Sequence, residues 1–131
     1  MEFSSSDSVV RRINAGEAFV VLLSSKNYPI YEADAVQKIN DDLSNKGLSG
    51  MPIIMVDSEE VRNQSTLILR SFKRLPNVSG YVILRKSTEA ERDEDVCIPD
   101  GGSIIDVGFV SLDAKYVATP FSQKLKLFLY N

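Results

Sequence analysis

Histidine and tryptophan are absent from the 131-residue sequence, and cysteine occurs once, at Cys97. Histidine is the side chain that titrates near neutral pH without help, and it is the commonest transition-metal ligand. Its absence excludes serine–histidine and cysteine–histidine catalytic pairs and histidine-ligated zinc. A single cysteine excludes an intrachain disulfide, a CxxC redox pair and a cysteine zinc knuckle. Because no catalytic or cofactor signature is found either, we predict no catalytic residue, no metal and no cofactor, although a metal site made of carboxylates alone and a small enzyme stay open as alternatives.

Long apolar runs and a strong charge of either sign are also lacking. The longest apolar stretch, 18–23, is too short to span a membrane, and the first residues lack the basic and apolar regions of a secretory signal. The net charge is −3, from 15 basic and 18 acidic residues, which argues against a nucleic-acid binder. Together with the length, these features predict one globular, cytoplasmic domain over 1–131, with no membrane association.

Three short apolar runs are spaced along the first two-thirds of the chain. Each is nearly unbroken and contains β-branched residues, as is typical of strands that are covered on both faces. Pro52 can only open its run, because proline donates no hydrogen bond to a strand ladder. The predicted strands are 18–23, 51–56 and 80–84.

Helical patterns lie before and between these runs. Gly16 and Gly47 follow the first two patterns, where a left-handed C-cap residue belongs, and Asp7 is expected to cap the first helix. The third pattern also fits an alternating strand in its second half, so both alternatives stay open there. The predicted helices are 8–15, 32–46 and 61–75.

The order of these elements predicts an α/β or α+β fold with a β-α-β-α-β core. Right-handed crossovers would place the three strands parallel in one sheet, with helices on its faces. The C-terminal third differs, because an acidic loop with Gly and Pro over 88–102 is followed by predicted strands at 104–112, 116–118 and 124–130. We expect these strands to extend the parallel core in antiparallel fashion.

Ligands bind beyond the carboxyl ends of the strands in open α/β sheets. The segments that follow the three predicted strands therefore nominate one crevice, with cations for a phosphate and carboxylates for a metal or a general base. No glycine-rich phosphate loop accompanies them, and helix capping by Asp57 is favoured over metal binding. The candidate crevice residues are Lys26, Tyr28, Asp57, Glu59, Arg85 and Lys86.

The last predicted strand, 124–130, alternates cleanly between two kinds of side chain. Its leucines point toward a core, while two lysines and two aromatic residues point the other way. A final strand is often an edge that can pair with another chain, although a helix covering the aromatic residues is the competing interpretation. The candidate protein interface consists of Lys124, Lys126, Phe128 and Tyr130.

Two functions remain open at the level of sequence. The favoured one is binding to a partner protein or to a second copy of the chain, as an inhibitor, immunity factor, adaptor or accessory protein. It is favoured because no catalytic signature is present, the surface is acidic and the final strand offers an aromatic edge. The alternative is a small nucleotide- or phosphate-binding enzyme or sensor that uses the candidate crevice. Cys97, between two aliphatic residues, is expected to be a buried, inert thiol.

Overall fold

A mixed four-stranded sheet with two helices forms the described part of the chain. The computed structural model describes residues 2–24, 32–57, 80–92, 97 and 101–110. The elements in chain order are α1 (Ser6–Asn14), β1 (Phe19–Ser24), α2 (Glu32–Asn45), β2 (Ile53–Asp57), β3 (Gly80–Lys86), a 3₁₀ turn (Glu89–Glu91) and β4 (Gly102–Phe109). No helix among these residues is long and apolar enough to cross a membrane.

The strand order is β2-β1-β3-β4, and only β1 and β2 run parallel. Strand β3 is antiparallel to β1 on one side and to β4 on the other. The prediction of three parallel strands is therefore wrong at β3, while the expected antiparallel extension by β4 is confirmed. The fold is a mixed α+β arrangement in which the β1-α2-β2 crossover is the parallel unit.

Strand positions follow the three apolar runs closely. The runs predicted at 18–23, 51–56 and 80–84 appear as β1, β2 and β3, each displaced or lengthened by one to two residues. The Pro52 carbonyl accepts a hydrogen bond from the Val20 amide at 2.8 Å just before β2 begins, as expected of a proline that opens a strand. The predicted segments 61–75, 116–118 and 124–130 lie outside the described residues.

Helix α2 ends through the backbone pattern that its glycine permits. The Gly47 amide donates to the Ser44 carbonyl at 3.1 Å, and the Leu48 amide donates to the Leu43 carbonyl at 2.8 Å. Gly47 has a φ of +73°, and Leu48 packs against the core cluster that contains Leu43. This is a Schellman ending with its usual hydrophobic contact, and the C-cap prediction for Gly47 is confirmed.

Helix α1 begins differently from the prediction. Its N-cap is Ser5, and Asp7 lies inside the first turn instead of capping it. The Ser5 carbonyl accepts a hydrogen bond of 2.7 Å from the Ser8 hydroxyl, and the negative charge of Asp7 is favourable so close to a helix N-terminus. The expected left-handed conformation of Gly16 is confirmed by its φ of +78°.

The core lies on both faces of the sheet. On one face, apolar residues of α2 pack against alternate residues of β1, β2 and β3. On the other face, α1 contributes buried Val9 and Ile13, and the guanidinium carbon of Arg12 lies 5.9 Å from the centroid of the buried Phe19 ring. The α2-side cluster contains Val20, Leu22, Ala35, Ile39, Leu43, Met55, Tyr81 and Ile83.

The outer side of β2 is covered by the start of the chain. Phe3 forms a parallel bridge with Met55, and the Ser4 amide donates to the Met55 carbonyl at 2.7 Å. This short pairing adds a fifth row of backbone to the sheet beyond β2. The described sheet is thus closed by its own chain on the β2 side.

Candidate functional site at the edge of the sheet

The predicted crevice is divided between the two ends of the sheet. Ser24 and Asp57 end the parallel strands side by side and are only 2% and 7% exposed. Because β3 runs the opposite way, its carboxyl end, with Arg85 and Lys86, lies at the far end of six-residue β1, roughly 20 Å from Asp57. The expected grouping is therefore wrong for Arg85 and Lys86. The other crevice residues, Lys26, Tyr28 and Glu59, lie outside the described residues.

Arg85 is engaged by a carboxylate. Its two terminal nitrogens donate to the two Glu91 oxygens at 2.6 and 2.7 Å, and the Thr88 amide and hydroxyl donate to Glu91 Oε1 at 3.0 and 2.9 Å. The hydrogen bonds from Arg85, supported by those from Thr88, lower the pKa of Glu91 to about 2. The start of the expected acidic loop is thus a 3₁₀ turn, held by a two-bond ion pair.

A polar cluster joins α2 to β3 and β4. The Tyr81 hydroxyl donates to Asp42 Oδ2 at 2.7 Å, and Lys46 Nζ lies 3.1 Å from Asp106 Oδ2. Burial raises the pKa of Tyr81, and the hydrogen bond to Asp42 and the charges of Asp42 and Asp106 raise it further. The phenol therefore stays protonated at neutral pH, acting as a donor instead of a base.

Gly108 makes room for this cluster. A Cβ at this position would lie 2.3 Å from two carbons of the Tyr81 ring and 2.5 Å from its hydroxyl oxygen. The cluster was not predicted from the sequence, although two signals for it were present. A glycine inside a strand marks a close approach of another group, and Asp42 and Lys46 are spaced as neighbours on one helix face.

One hydrogen bond of β1 fixes which residues of β4 turn their amide and carbonyl groups outward. The Val20 amide donates to Pro52 beside β2, so Val20 faces β2 and the next residue, Val21, faces β3. Val21 pairs with Val82, whose backbone groups therefore face β1 and point away from β4. Val107 is the β4 partner of Val82, and by the same alternation its amide and carbonyl point outward, away from β3.

The outward amide of Val107 is occupied by a side chain of its own strand. It donates to Asp106 Oδ1 at 2.8 Å, while Lys46 holds Oδ2 of the same carboxylate. The carboxylate thus lies between a helix and a strand edge, with its side chain only 19% exposed. The Asp106 side chain thus accepts the hydrogen bond that the carbonyl of a neighbouring strand would otherwise accept from the Val107 amide.

The start of β4 has a different neighbour. Cys97 forms an antiparallel bridge with Ser103, and Cys97 Sγ lies 3.5 Å from the Ser87 hydroxyl, which is itself 2.8 Å from the Ser103 hydroxyl. Cys97 is half-buried instead of fully buried as expected. Beyond Ser103, no other strand among the described ranges pairs with the outer side of β4.

Comparisons with protein-family models, curated proteins and solved structures found no match to this chain. Within the part of the chain that the structure describes, no three His, Cys, Asp or Glu side chains are grouped to hold a metal ion. The predicted interface residues Lys124, Lys126, Phe128 and Tyr130 lie outside this part. The site supported by geometry is therefore the outer edge of β4 with its Asp106 carboxylate.

Proposed function

We propose that this protein acts by binding an extended segment of a partner protein along the outer side of β4, as an additional strand of its sheet. The observation that carries the proposal is the difference between the two edges. The β2 edge is covered by Phe3 and Ser4, whereas beyond Ser103 the outward backbone of β4 is met, among the described residues, only by Asp106. Backbone groups on an edge strand provide the hydrogen bonds for strand addition.

The composition of β4 supports the same proposal. Its sequence contains no lysine, arginine or proline, and its one charged residue is Asp106, which an incoming strand must displace. A register shift lies between its pairings with Ile83 and Leu84, and regular pairing with β3 runs from Asp106 to Phe109. In that regular part, the backbones of Val107 and Phe109 face outward. They offer two carbonyls and the Phe109 amide to an incoming strand, while the Val107 amide is bonded to Asp106.

The alternative of a nucleotide- or phosphate-binding crevice has less support. Two of its proposed cations, Arg85 and Lys86, are at the wrong end of the sheet, and Arg85 is bonded to Glu91. What remains of that crevice in the described residues is the buried pair Ser24 and Asp57, which supplies no positive charge for a phosphate.

Amide hydrogen exchange on the full chain tests strand addition directly. The probe is a synthetic seven-residue peptide that alternates lysine with valine. In the free chain we expect the outward Phe109 amide to exchange faster than the Gly108 amide, which faces β3. On addition of the peptide, exchange at Phe109 should slow, while exchange at Gly108 stays slow throughout.

Two results would refute the proposal. If the Phe109 amide is already as protected as that of Gly108 in the free chain, the edge is occupied by the chain itself. If the peptide binds while exchange at Phe109 is unchanged, binding occurs at another surface.

A further inference from the structure

We propose that Asp106 makes the β4 edge selective for strands that carry lysine or arginine at the position opposite it. This inference rests on the proposed strand addition at β4 and specifies the chemistry of the partner.

An incoming strand must compete with Asp106 for a backbone donor. Oδ1 of Asp106 accepts from the Val107 amide at 2.8 Å, where a partner carbonyl would have to bind. Hydrogen bonds to an ionised carboxylate are stronger than those to a neutral carbonyl. The exchange of Asp106 for a partner carbonyl is therefore unfavourable unless the displaced carboxylate oxygen gains a new donor.

The residue opposite Asp106 on the incoming strand is the one placed to supply that donor. Asp106 directs its own backbone toward β3, so it would form a non-hydrogen-bonded pair with a new antiparallel strand, in which the Cα atoms lie about 4.5 Å apart. Side chains of such a pair share one face and interact closely. A lysine or arginine at this position can bond to the displaced Oδ1, whereas an apolar or acidic side chain cannot.

The surrounding charge favours a cation as well. Lys46 bonds to the other oxygen of Asp106, at 3.1 Å, and Asp42 adds a second carboxylate to the cluster through its bond with Tyr81. These charged groups of the cluster are thus two carboxylates and one ammonium group. On the opposite face of β4, Ile104 and Val107 are buried, so the neighbouring positions of a bound strand should be aliphatic. The predicted partner segment therefore alternates basic and aliphatic residues.

A binding experiment with two peptides and four forms of the full chain tests this selectivity. One peptide alternates lysine with valine, and the other replaces each lysine by glutamine. Asp106→Asn keeps an oxygen for the Val107 amide but removes the charge, and Asp106→Ala removes both. Asp41→Ala is the matched control, because it removes an exposed carboxylate of α2 and so changes the net charge of the chain by the same amount.

We expect the unaltered chain and Asp41→Ala to bind the lysine peptide roughly two- to fivefold more tightly than the glutamine peptide. This ratio of affinities corresponds to the stabilisation that one cross-strand charge pair provides. Asp106→Asn should lose this preference. Asp106→Ala should also lose it, and should bind the glutamine peptide more tightly than the unaltered chain does, because its edge amide is open. Circular dichroism of each variant checks that it is folded.

The outcomes separate this inference from the proposed function. Equal binding of both peptides by the unaltered chain, or a lysine preference retained in Asp106→Ala, would overturn the selectivity and leave strand addition intact. Failure of both peptides to bind any of the four forms would refute strand addition itself, and the selectivity with it.

Discussion

The ring of Tyr81 occupies the space that a side chain at position 108 would need. Gly108→Ala should therefore displace the ring, lose the hydrogen bond to Asp42 and lower the free energy of unfolding by about 2–4 kcal/mol. Urea unfolding measures this cost. In a Tyr81→Leu background the same substitution should cost less, because the ring is gone. Costs that simply add in the double variant would contradict the assigned contact.

At the same scale, the sequence predicted single residues where their role is local. Gly16 and Gly47 were correctly placed as left-handed residues, because a glycine after a helical stripe has a specific backbone use. Tyr81 and Asp106 were missed as members of a site. Their partners, Asp42 and Lys46, are far away in sequence, and the packing of α2 against the sheet brings them together.

The ending of α2 shows how one element depends on one backbone conformation. A Cβ at Gly47 would meet no atom within 4 Å, so any cost of Gly47→Ala is conformational. We expect about 1 kcal/mol of destabilisation from a φ of +73°, and a smaller loss for Gly47→Asn, because asparagine tolerates this region better. Thermal unfolding of the two variants measures the difference. Equal stability of all three proteins would show that the α2 ending is not maintained in solution.

Strands were predicted more successfully than their directions, for a physical reason. A run such as that of β3 is apolar because both faces are covered, and this is true of a parallel or an antiparallel central strand. The direction of β3 was inferred from the presumed helix at 61–75, not from the strand itself. The candidate crevice depended on that direction, so the misplacement of Arg85 and Lys86 follows from the same inference.

The acid stability of the whole molecule should depend on the Arg85–Glu91 pair. The pKa of Glu91 is lowered from 4.5 to about 2, so its contribution to folding is present above pH 4.5 and is lost as the pH falls toward 2. The unaltered chain should be more stable than Glu91→Gln at pH 7, and this difference should shrink across that window. Urea unfolding at several pH values checks the trend. Because the Arg85 hydrogen bonds are the largest cause of the shift, Arg85→Gln should remove most of the effect.

A difference between the unaltered chain and Glu91→Gln that is independent of pH would contradict this assignment. So would a difference that grows on acidification, since protonation of Glu91 breaks the ion pair in the native state and cannot strengthen it.

The position of β1 in the middle of the sheet sets an order for folding during synthesis. β1 can join β2 once α2 has been made, but its other neighbour, β3, begins only at Gly80, well after β2 ends at Asp57. Until then, β1, which is buried along its whole length in the folded chain, has one unpaired edge as it leaves the ribosome. A nascent chain that is paused after Asp57 and before Gly80 should therefore recruit chaperones or aggregate more readily than one released after Lys86.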